Sequence, residues 1–199
     1  MRNSYKSKYY LRLKSEIREV KKDIEEVDSL YSIAQSFFIN AVNEYSQENE
    51  LKNPLLQSDK NPEKEDDSGE ITEEETSKIF SDSDSEIKAL WRKLVVKSHP
   101  DKNSQESEET REEREQLYKG TVEAKKNGDL YSVIEAAKSL DVDIPEINFD
   151  HLNFLEKQLK NIKRDLDKIY NSYPWVYYFS GGSKRVGILE SFFKQHSDV

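Results

Sequence analysis

The chain has 199 residues, 34% hydrophobic and 36% charged, with a net charge of −9 and a mean hydropathy of −0.95. That balance disfavours one large core and suits long solvated helices beside a polar stretch. Cysteine is absent, which excludes disulfides and thiolate metal sites, and no apolar run approaches the roughly 20 residues of a membrane helix. The basic start, MRNSYKSKYYLRLKSEIREVKK, has no apolar run behind it and does not read as a signal peptide. A soluble, cytoplasmic protein is expected. From Gln57 to Glu86 twelve acidic residues face three lysines, so the whole net charge lies there. The other 28 acids balance 28 bases, which argues against a nucleic-acid partner.

Five segments follow in chain order: 1–52, 53–85, 86–145, 146–173 and 174–199. In the first, Tyr10, Leu13, Ile17, Val20, Ile24, Val27, Tyr31, Ala34, Phe38, Ala41 and Tyr45 step by three and four. That alternation predicts a heptad helix roughly 50 Å long whose seam needs a partner. The second holds Pro54, Pro62, Gly69 and a Ser/Asp/Glu-rich run, and reads as a flexible acidic linker. Two roles stand open for it: a plain tether, or carboxylates lying back on the basic helix that follows.

The third segment reads as a small helical domain. Ile87, Leu90, Trp91 and Leu94 form the buried stripe of one helix, with Lys88, Arg92, Lys93 and Lys97 on the other side. Pro100 ends that helix near Ser98. A second helix over Arg111 to Lys126 offers Leu117, Val122 and Ala124 inward, and Asn127-Gly128-Asp129 closes it. Leu130, Val133, Ile134, Ala137 and Leu140 make a third, stopped by Pro145.

In the fourth segment Leu152, Leu155, Leu159, Ile162, Leu166, Ile169 and Tyr173 predict a second heptad helix up to Pro174. The two heptad helices pair with each other or with a second copy in a homodimer; the sequence leaves both open. The fifth segment carries an aromatic run, Gly181-Gly182 and a second apolar run. A short β-hairpin is expected there, with a helix from Val186 onward as the alternative. Trp175, Tyr177, Tyr178 and Phe179, beside Tyr173, are candidates for a client or partner site, or for an aromatic cap on the helix end. The fold class is all-α apart from that hairpin.

The run Ile87-Lys88-Ala89-Leu90-Trp91-Arg92-Lys93-Leu94-Val95-Val96-Lys97-Ser98-His99-Pro100-Asp101-Lys102-Asn103 resembles the second helix and loop of a J domain. Tyr118, Val122-Glu123-Ala124 and Asn127-Gly128-Asp129-Leu130 resemble the third helix and its exit in a bacterial and phage J-domain subgroup. In that subgroup a coiled coil follows and ends in a pair such as Pro174-Trp175. Three letters, His-Pro-Asp, are weak alone; the basic amphipathic helix before them and the capped helical pair after them make the combination specific. The sequence departs from the pattern at Trp91, usually Tyr, and at Ser98, often aromatic. No Asp-Tyr-Tyr-x-Leu-like first helix precedes Glu86, where Glu70 to Phe80 stands as a short replacement.

The resemblance implies a small J-like domain set between the two heptad helices. It also implies a non-catalytic co-chaperone that docks on a DnaK-type heat-shock chaperone and stimulates its ATP hydrolysis. His99, Pro100 and Asp101 carry the essential role by that resemblance, and Lys88, Arg92, Lys93, Lys97 and Lys102 the docking. Cations on one helix face steer toward an acidic surface, and Asp101 on its loop can accept a bond from a partner arginine. The alternative function is a structural coiled-coil adaptor that keeps the J-like fold as scaffold. No metal or cofactor is expected, because His99, His151 and His196 lack ligand spacing. Gly181-Gly182-Ser183-Lys184 lacks the spacing of a phosphate loop.

Overall fold

The computed structural model of the chain describes residues 2–56, 85–100 and 107–197. Among them every regular element is helical, and none of the helices is long and apolar enough to cross a membrane. The elements are α1 (Arg2–Glu48), a 3-10 turn (Pro54–Leu56), α2 (Ser85–Ser98), α3 (Glu108–Lys126), α4 (Leu130–Ser139), α5 (Phe149–Tyr170), α6 (Tyr173–Phe179) and α7 (Ser183–Ser197). Most of the acidic linker, with the Glu70 to Phe80 stretch, lies outside the described residues.

Helix α1 starts eight residues before the predicted seam and spans 47 residues. Its seam is covered within a single chain. Leu13, Ile17, Val27, Ala34 and Phe38 are buried, and Tyr10, Val20, Ile24, Tyr31, Ala41 and Tyr45 are half-buried. Burying each large apolar side chain contributes about 1.5–3 kcal/mol, far more than the helix gains from propensity.

The chain forms two compact units, one from Met1–Ile17 with Gly69–Asn161, the other from Arg18–Ser68 with Ile162–Val199. In the first unit α2 and α3 run antiparallel, since Trp91 meets Thr121 while Lys97, nearer the end of α2, meets Arg114. Helix α4 packs against both. Ile87, Leu90 and Leu94 of α2, Ala124 of α3 and Leu130, Val133, Ile134 and Ala137 of α4 are buried.

Capping fixes the corners of this unit. The Ser107 side chain accepts from the Thr110 amide, and Glu108 and Glu109 add favourable charge to the first turn of α3. Gly128 takes φ 65°, and the Gly128 and Asp129 amides return to the Lys125 and Ala124 carbonyls. This is the left-handed closure that glycine permits at no steric cost. Asp129 then caps α4 through the Ser132 amide at 2.9 Å and takes a further bond from Gln158 of α5. At the head of α5, Asn148 Oδ1 accepts from the His151 amide, and buried His151 Nδ1 accepts from the Asn148 amide. This is a reciprocal capping box with histidine in the usual glutamate's place.

Two expectations are corrected here. Val122 is exposed; Thr121 and Ala124 fill the inward positions, and the Thr121 hydroxyl satisfies itself on the Leu117 carbonyl. The second heptad helix stops at Tyr170, a turn before Tyr173.

In the second unit the expected hairpin is replaced by α6 and α7. Ser172 caps α6 and Pro174 sits in its first turn, where a missing amide hydrogen costs nothing. Tyr173 and Tyr177, then Leu189, Phe192 and Phe193, have helical spacing, so one face of each helix reaches a core built with Phe38 and Val42. Gly182, at φ 50°, turns the chain between them.

Candidate functional site

The predicted docking residues fall on one side of α2. Ile87, Leu90 and Leu94 turn inward, which leaves Arg92, Lys93 and Lys97 exposed and Lys88 half-buried. Lys97 Nζ also donates to the Asp141 carbonyl at 3.2 Å, tying the end of α2 to the end of α4. Val96 lies among these cations at 51% exposure. Sorting the helix by charge alone missed it. Its signal was spacing: Ala89, Arg92, Lys93 and Val96 sit at i, i+3, i+4 and i+7, opposite the buried stripe.

The helix is braced from behind by α3. The Trp91 indole N–H donates to the Thr121 carbonyl at 3.1 Å, and Lys125 Nζ lies 3.9 Å from the Trp91 ring centroid. Such a cation over an indole face is favourable by about 0.5–2 kcal/mol. Trp91 thereby gains a partner for its one polar atom.

At the tip, the Ser98 hydroxyl is buried and donates to the Leu94 carbonyl at 2.8 Å, ending the helix on a satisfied side chain. Arg114 Nη1 donates to the Lys97 carbonyl at 3.3 Å, covering one of the carbonyls that a helix end leaves open. The half-buried His99 ring meets Tyr118 edge-on, with centroids 5.3 Å apart. Pro100 is exposed. Asp101 and Lys102 lie outside the described residues. The structure thus brings together Arg92, Lys93, Lys97, His99 and Pro100, and adds Val96, Arg114 and Tyr118. This arrangement presents positive charge and a fixed imidazole. Among the described residues no group of three His, Asp or Glu side chains is placed to hold a metal.

The aromatic candidates divide. Tyr177 is buried against Phe38, with centroids 5.4 Å apart, so it belongs to the core of the second unit. Trp175 and Tyr178 are half-buried, and Phe179 is 60% exposed. Arg185, which the sequence reading passed over, lies over the rings of Phe37 and Tyr177 at 4.9 and 5.2 Å. It also donates to the Tyr177 and Tyr178 carbonyls at 3.2 and 3.1 Å, capping α6.

No protein-family model, curated protein or solved structure matches the chain.

Proposed function

We propose that this chain is a cytoplasmic co-chaperone of the J-domain type, which docks on a DnaK-type ATPase and stimulates its ATP hydrolysis. The observation that carries the reading is the pairing of an exposed cationic face, Arg92, Lys93 and Lys97, with His99 at the same helix end. The opposite side of that helix, with Ile87, Leu90 and Leu94, is spent on packing. Arg92, Lys93 and Lys97 are exposed, and His99 is half-buried against Tyr118 of α3 rather than sunk in the core.

The mechanism needs no reacting group on this chain. Cations steer the encounter and set its orientation. The tip then binds one conformational state of the ATPase better than the other, and that difference alone shifts the partner toward the hydrolysing state. Asp101 supplies the carboxylate of the motif, and its charge-assisted bond to a partner arginine orients the tip.

The rival reading, a structural adaptor assembling through its heptad helices, needs an open apolar seam. The heptad seam of α1 is buried or half-buried within one chain, while Leu30, Ile33 and Phe37 stand exposed on the same helix, so ATPase stimulation and oligomeric state separate the two readings. Single-turnover hydrolysis by a DnaK-type chaperone tests the choice. The chain accelerates turnover, and His99→Gln abolishes the acceleration while the far-UV circular dichroism stays unchanged. Full stimulation by that variant, or a stable oligomer with no effect on the ATPase, overturns the proposal.

A further inference from the structure

Around the turn between α6 and α7 the charge of the chain reverses. Between Asp167 and Glu190 there is no acidic residue, while Lys168, Lys184 and Arg185 give this stretch +3 and leave −12 for the rest. The same region of the second unit carries a continuous row of rings on its surface. Phe37 touches Tyr178 with centroids 5.8 Å apart, Tyr178 touches Phe179 at 5.1 Å, Phe179 touches Trp175 at 4.7 Å, and Trp175 touches Tyr170 at 5.2 Å. Phe37, Phe179 and Tyr170 are exposed, and the other two are half-buried. Core packing explains Tyr177 and Phe38. It does not explain a row of rings left facing water at the cost of hydrophobic burial.

We infer that this row is a binding ledge for an extended protein segment that combines apolar side chains with carboxylates. Rings of this kind offer large, rigid contact area at low entropic cost, because each has only two side-chain torsions. Their positions are already set. Arg185 holds the end of α6 by its two carbonyl bonds and stacks on Phe37, so little ordering remains for binding to demand. The charge complement argues for carboxylates. The Arg185 guanidinium stands over Phe37 in the row, Lys184 next to it in the chain is exposed, and the stretch holds no acid to repel an anionic partner. A continuous row of touching rings suits a chain laid along it. The inference stands apart from the ATPase-docking reading, since it uses none of the same residues.

Fluorescence anisotropy on the full chain tests it, with a fluorescein-labelled nine-residue peptide alternating Leu or Phe with Glu. Two control peptides replace Glu by Lys, or the apolar residues by Ser. The Glu peptide binds and both controls bind at least about tenfold more weakly. Phe179→Ser costs about tenfold in affinity and Lys184→Glu about threefold or more, with circular dichroism unchanged because both side chains are exposed. His99→Gln leaves binding intact, which separates this site from the docking helix. Equal binding of the Glu and Lys peptides, undiminished binding by Phe179→Ser, or binding to phosphatidylglycerol vesicles with none to the peptide overturns the proposal.

Discussion

Tyr118 holds the His99 imidazole edge-to-face, with ring centroids 5.3 Å apart and planes 77° from parallel. The tip of α2 is therefore oriented by a residue of α3 that need not touch any partner. Tyr118→Ala should lower ATPase stimulation about tenfold, in line with the cost of losing orientation, while Tyr118→Phe restores it because the ring contact survives. A melting curve separates this from unfolding: the half-buried ring predicts a loss of only a few degrees. Equal failure of both variants would show that the hydroxyl, not the ring, matters.

The proposed docking face should behave as a charged surface with one apolar centre. Lys93→Glu weakens stimulation by reducing association rate, and the wild type loses stimulation as salt rises from about 0.05 to 0.3 M. Val96→Ser removes apolar contact instead, so its deficit persists at high salt. Stopped-flow association with a DnaK-type chaperone at two ionic strengths distinguishes the two. A salt-independent rate for the wild type contradicts the electrostatic account.

Trp91 joins α2 to α3 by one hydrogen bond and one cation contact. Trp91→Phe deletes the first and weakens the second, and should cost about 1–2 kcal/mol of stability. Urea unfolding followed by circular dichroism measures it. Lys125→Gln tests the cation contact alone and should cost about 0.5–1 kcal/mol.

These contacts also show which parts of the fold were legible in the residues. The α1 seam was plain because a strict three-and-four alternation over many turns has one physical solution, a helix with a buried stripe. The corner at Gly128-Asp129 was equally plain, since few residue pairs close one helix and cap the next. Thr121 was hidden because a buried hydroxyl satisfied by a carbonyl one turn back looks polar in sequence; apolar Val122 beside it then attracted the inward assignment. The tail misled for a different reason. Aromatic residues at nearly every position from Tyr173 to Phe179 fit both periods, and only the covering of Tyr177 by Phe38 decides for the helix. The cationic face of α2 was legible as charge, but its brace was not, because Arg114 and Tyr118 reach it only through the antiparallel turn.

Glu135 offers a pH test. Burial raises its carboxyl, yet hydrogen bonds from Lys138 and Lys14 outweigh this and hold it below the ordinary carboxylate value. A group depressed in the folded state stabilises fully above its unfolded pKa, and that contribution fades as pH falls through the folded value. Glu135→Gln should therefore lower the unfolding free energy slightly at pH 7, by less than about 1 kcal/mol, and the gap to wild type should close below about pH 4. A gap that grows on acidification would contradict the sign.

The cover over Phe38 comes from far along the chain. Tyr173, Tyr177 and Phe192 are its ring partners, and all are synthesised long after it. A nascent chain leaving the ribosome must therefore carry the Phe38 and Val42 stretch of α1 without this cover until α6 and α7 have emerged, and must then close a very long loop to shield it. Such late, sequence-distant closure is slow and invites aggregation in the interval. The protein proposed to serve other chains would itself pass through the vulnerable state that holding factors protect.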